Sequence, residues 1–152
     1  EEHFPRISEL TEILNIDVVS YLRLHPDKQN ALENYINQLE EKKNESEEAM
    51  NSLNQLNALH TSALPALQSE IKNKQNSIES FYNDRDGVAI IRALSELEEL
   101  RIQEQDHKNI VVFTARIAAE YNTLITASNQ KLVVLRANMA PLVQGVTVKL
   151  PQ

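Results

Sequence analysis

The sequence predicts an all-α fold: a long antiparallel helical hairpin, coiled-coil-like, with short N-terminal helices packed at its base. Three observations carry this expectation. Only two Gly and five Pro punctuate 152 residues, too few for a β fold that needs turn formers every few positions. From Leu32 to Phe81 a stripe of positions recurs in unbroken alternate steps of four and three, the heptad spacing of packed helices. The one central cluster of turn formers, Asn83-Asp84-Arg85-Asp86-Gly87, divides that stripe from a second helical pattern. Residues 1–152 therefore read as a single elongated helical domain.

The chain opens with short elements. Pro5 precedes Ile7, Leu10, Ile13 and Leu14, whose spacing suits an amphipathic helix. Asn15 or Asp17 interrupts it, and Val18, Val19, Leu22 and Leu24 add a further apolar turn or two before Pro26. Residues 6–24 are expected to form one or two short helices packing at the base of the hairpin.

The first long arm spans 26–82, with Pro26 suited to the first helical position. Its stripe reads Leu32, Ile36, Leu39, Lys43, Ser46, Met50, Leu53, Asn57, His60, Leu64, Leu67, Ile71, Lys74, Ile78, Phe81. A continuous helix of that length would reach about 84 Å. Lys43, Ser46, Asn57, His60 and Lys74 stand where a tight seam would hold Leu or Ile; such residues cost stability but can fix register. Residues 83–87 form the apex turn.

The return arm spans 88–140, with Ile90, Ile91, Leu94, Leu97, Leu100, Ile110, Phe113, Ile117, Tyr121, Leu124, Leu132, Leu135 and Met139 recurring at helical spacing. Pro141 is expected to end it, leaving 141–152 as an extended tail in which Val146–Leu150 alternates like a lone strand. Folding about Arg85 sets Pro65 opposite Gln105, inside the polar stretch 103–109. A kink or break is expected near 61–65 and a joint near 103–109, each with its own cap.

Charge and composition narrow the chemistry. The net charge is −7 and there are no cysteines, so thiolate catalysis, Cys-based zinc sites and disulfides are excluded. No basic cluster exceeds Lys42-Lys43, which disfavours nucleic acid and anionic lipid as partners. The longest apolar run, Ile110–Phe113, falls far short of a membrane span, and no direct membrane insertion is expected. The start at Glu1 rather than Met suggests a processed or truncated piece, and the reading leans to an extracytoplasmic fragment of a larger protein.

No constellation for catalysis, cofactor binding or metal binding stands out. With Gly87 and Gly145 as the only glycines, phosphate-cradling loops and the hydrolase elbow cannot form. No His follows by three residues any glutamate of the clusters Glu45-Glu47-Glu48 or Glu96-Glu98-Glu99, so neither cluster builds a di-iron motif. His60 and His107 fall near one level of the hairpin, with Asp106 beside them, and are read as ordinary polar residues at a break. Asp84-Arg85-Asp86-Gly87 faintly resembles a calcium loop in spacing, but Ile90, Ile91 and Leu94 occupy the later ligand positions.

The expectation is a non-enzymatic structural or protein–protein interaction module, with Asn83, Asp84, Arg85, Asp86 and Gly87 as its candidate contact residues. A protein partner or self-association through helix faces would be its mode of action. Two alternatives remain open: the hairpin domain of a periplasmic adaptor or secretion-type assembly, with Val146–Leu150 as a neighbouring strand, and a helical-bundle sensor or ligand-binding domain.

Overall fold

The computed structural model describes residues 7–145, and the expected tail segment Val146–Leu150 lies outside them. Five helices follow in order: α1 (Ile7–Leu14), α2 (Val18–Arg23), α3 (Lys28–Asn83), α4 (Gly87–Ala137) and α5 (Met139–Val143). No strand occurs among the described residues. The two long helices pack against each other as a hairpin, and the short N-terminal helices pack with it. None of the described helices is long and apolar enough to cross a membrane.

Contacts divide the chain into two compact units: the first is formed by the segments on either side of residues 53–116, and the second by residues 53–116 themselves. In the first unit, α1, α2 and α5 gather around the start of α3 and the end of α4. Leu10, Val18, Leu22, Leu32, Tyr35, Leu39, Leu132, Leu135 and Leu142 form its core. Removing each large side chain from water contributes roughly 1.5–3 kcal/mol, which is how α1 and α2, too short to persist alone, are held as helices. Asp17 caps α2, accepting the Ser20 amide at 3.4 Å, while Asp27 Oδ1 accepts the Asn30 amide at 3.0 Å. The long helix consequently begins after Asp27 and not at Pro26, because a carboxylate satisfies a first-turn amide that proline would only have tolerated.

In the second unit, α3 and α4 bury Leu53, Leu67, Ile71, Ala93 and Thr114 between them. Every position of the expected α3 stripe is buried or half-buried, in both units, including Lys43, Ser46, Asn57, His60 and Lys74. The polar members have local reasons to be there. Lys74 Nζ lies 2.8 Å from Glu96 Oε1 on α4, and Lys43 lies 3.0 Å from Glu40.

Two expectations are corrected. Neither arm breaks: α3 runs unbroken through Pro65 and α4 through 103–109. Pro65 removes one amide and so releases the Thr61 carbonyl, but both residues are exposed and water can satisfy that acceptor. On α4, the Gln105–Asn109 hydrogen bond (2.8 Å) and the Glu104–Lys108 ion pair (3.5 Å) are i,i+4 supports that a polar helix needs. Nor does Pro141 open an extended tail. Asn138 ends α4, its Nδ2 donating to the Val134 carbonyl at 2.8 Å, and Pro141 then sits in the first turn of α5, where its missing amide has no helical acceptor to lose.

Candidate functional site

The apex is built by a reversal of the backbone at Arg85. Asp86 N–H donates to the Phe81 carbonyl at 3.0 Å and Arg85 N–H to the Tyr82 carbonyl at 3.1 Å, the paired bonds that close a helix over a left-handed residue. That residue is Arg85, with φ of 57°, not Gly87. Gly87 instead opens α4, and Asp86 caps it by accepting the Ala89 amide on Oδ1 at 3.1 Å. The turn falls within the five residues expected, with Asp84–Asp86 between the helices, and with a residue that bears a β-carbon in the left-handed position. That conformation costs such a residue about 1 kcal/mol, and Arg85 bears the cost without repayment by a local side-chain bond. Among the described residues its guanidinium makes no hydrogen bond or ion pair.

Around this turn several large apolar side chains are exposed. Tyr82, Val88 and Ile91 are 73%, 71% and 72% exposed, and Leu94 is half exposed on the next turn. Asn83, Asp84, Arg85, Asp86 and Gly87 are all exposed between them. The arrangement sets one cation and two carboxylates inside a fringe of large apolar side chains.

Farther along the second unit, the two histidines do meet. His60 Nδ1 and His107 Nδ1 stand 2.7 Å apart across the seam, with ring centroids at 4.9 Å and planes inclined by 48°. Asp106, the third residue expected near them, is exposed. One turn away, Asn57 Nδ2 donates to the Val111 carbonyl at 2.8 Å and to Thr114 Oγ1 at 3.0 Å. One E-x-x-H spacing lies outside the two glutamate clusters, from Glu104 to His107, and both residues face the seam half-buried. Spacing alone could have flagged it.

No three His, Asp or Glu side chains among the described residues gather closely enough to share an ion. Two surface depressions in the first unit are lined by Asn129, Gln130, Val133 and Val134, and by Glu33, Ile36, Asn37, Arg136 and Met139. Neither holds a nucleophile beside a general base. Compared with protein-family models, with curated proteins and with solved structures, the chain matches none.

Proposed function

We propose that this chain is a non-enzymatic interaction module whose hairpin apex docks onto a protein partner. The observation that supports this reading is Arg85: an exposed, left-handed, unpaired cation at a position where glycine would be more stable, ringed by exposed Tyr82, Val88 and Ile91. Strain kept at a surface residue calls for a use outside the fold. A partner with an apolar pocket and a carboxylate would take the tyrosine or isoleucine as anchor and the guanidinium as orienting group. Self-association through the same tip is the second form of this reading.

A photo-crosslinking residue placed at Tyr82 or Val88 in the native cell tests it, with Gln130 as a control position. One discrete adduct from both apex positions, absent from Gln130 and lost in the Arg85→Gly, Ile91→Ser variant, is the expected result. Equal labelling at all three positions, or adducts indifferent to the variant, would sink the proposal. Sedimentation across a concentration series separates a second copy of the chain from a foreign partner.

A further inference from the structure

We infer that His60 and His107 form a two-imidazole clamp for a divalent late transition-metal ion, held between α3 and α4 within the second unit. The inference stands apart from the apex and does not depend on its role.

The geometry begins with the facing nitrogens. At 2.7 Å the two Nδ1 atoms must share one proton, one ring donating and the other offering a lone pair. The two Nδ1 atoms therefore face each other across the space between the helices, one by its N–H bond and the other by its lone pair. A metal ion between them would replace the shared proton, and the ring that now holds it on Nδ1 would carry it on Nε2 instead. Neutral imidazole is the ligand such ions prefer, so the exchange needs no buried charge on the protein.

Distances allow the exchange. Two bonds of about 2.0–2.1 Å meeting at a tetrahedral angle set the nitrogens about 3.3 Å apart. The observed contact must open by roughly 0.6 Å, within reach of small rotations of two side chains that are only half-buried. Neighbouring groups do not compete for the position, because the Asn57 amide is already engaged by Val111 and Thr114. Glu104, one turn before His107 on the same seam, adds a negative charge, shared with Lys108 at 3.5 Å. With only two protein ligands, water completes the coordination, and the ion acts as a staple between the arms.

Ligand chemistry sets the selectivity. Imidazole nitrogens favour Zn²⁺, Cu²⁺ and Ni²⁺ over Mg²⁺ and Ca²⁺, which take oxygen. Calorimetric titration of the full chain with zinc chloride, and separately with magnesium chloride, is the test, joined to NMR of the histidine ring nitrogens in the wild-type chain. The expected result is one Zn²⁺ per chain, both Nδ1 atoms shifted by the metal, a thermal midpoint that rises with zinc, and no response to magnesium. His60→Gln and His107→Gln should each weaken zinc binding about tenfold or more, since each removes the intramolecular second ligand. A chain with His3 and His25 both replaced by Gln should bind as the wild type does. Absence of one-to-one binding at millimolar zinc, undiminished binding in either single variant, or metal-shifted nitrogens on His25 instead would overturn the inference. The wild-type nitrogen spectrum decides the matter even where a variant fails to fold.

Discussion

Lys131 lies over the ring of Tyr35, its ammonium 5.1 Å from the ring centroid, and the two side chains between them satisfy the end of α1. Tyr35 Oη donates to the Ile13 carbonyl at 2.7 Å, and Lys131 Nζ donates to the carbonyls of Leu14 at 2.6 Å and Ile16 at 2.8 Å. The last carbonyls of a helix lack internal donors, and a cation there also complements the helix dipole. Contacts more than a hundred residues apart in sequence thus fasten the N-terminal helices to α4. Burial holds the Lys131 ammonium below its ordinary pKa, and the Asp17 carboxylate pulls weakly the other way.

Lys131→Met keeps the stem's apolar packing and deletes the donor. Two carbonyls lose their partner at about 1–3 kcal/mol each, offset by release from burying a charge, so the expected net loss is about 2 kcal/mol. Urea unfolding of both chains at neutral pH measures it. A loss below about 0.5 kcal/mol would mean that water replaces the ammonium there.

Tyr35 predicts a weakness toward alkali. Burial pushes its phenol well above the ordinary value near 10, and Tyr121 shifts the same way, by burial first and then by the Glu9 carboxylate. A group whose pKa is raised on folding stabilises fully below its unfolded value, and that stability is lost as pH climbs from about 10 toward the folded one. Lys131 opposes this in part: its pKa is lowered on folding, so its contribution grows as pH rises toward about 10.5. The tyrosine effect should win, because two phenols are raised by burial against one ammonium lowered by it. Unfolding midpoints between pH 8 and 11 should fall, and Tyr35→Phe should flatten the decline. A Tyr35→Phe profile as steep as the wild type's would contradict this assignment.

The heptad on α3 was legible because its spacing is strict even where the residues are polar. The α4 seam was legible only in part, through Ile90, Leu97, Leu100, Tyr121, Leu132 and Leu135. It runs through Ile90, Ala93, Leu97, Leu100, Glu104, His107, Val111, Thr114, Ala118, Tyr121, Ile125, Ser128, Leu132 and Leu135, as strict in its steps of three and four as its partner. Hydrophobicity pointed instead to Ile91, Leu94 and Phe113, which are exposed. The seam's small and hydroxyl residues allow close backbone approach, and their hydroxyls bond within their own helix, as Ser128 does to the Leu124 carbonyl at 2.7 Å. Apolar counting misses a stripe of that kind. The apex was legible as a turn, but not its geometry, since a glycine stands only two residues from the one that carries the positive φ.

Small seam residues yield a prediction of their own. Ser128 is fully buried and its hydroxyl bonds only to a carbonyl of its own helix, so Ser128→Ala should change stability by no more than about 0.5 kcal/mol. Ser128→Leu inserts volume where none is free and should cost about 1–3 kcal/mol. Thermal unfolding of the pair distinguishes a filled position from an open one. A Ser128→Leu chain as stable as the wild type would show that the first unit has room at this level.

Arg85 joins stability to the proposed role. Replacing it with glycine removes the left-handed penalty, worth about 1 kcal/mol, while the freer unfolded chain returns part of the gain. The net expectation is a stabilisation of about 0.5 kcal/mol. Gly87→Ala, by contrast, meets open space and has no positive φ to strain, so it should be neutral or slightly stabilising in the first turn of α4. If the apex docks a partner, Arg85→Gly should stabilise the isolated chain and weaken the partner contact together, whereas Gly87→Ala should leave both nearly unchanged. Unfolding curves give the first quantity and apex crosslinking yield the second. Loss of stability in the Arg85→Gly chain would refute the left-handed geometry itself, and a gain in stability with undiminished crosslinking would remove Arg85 from the contact.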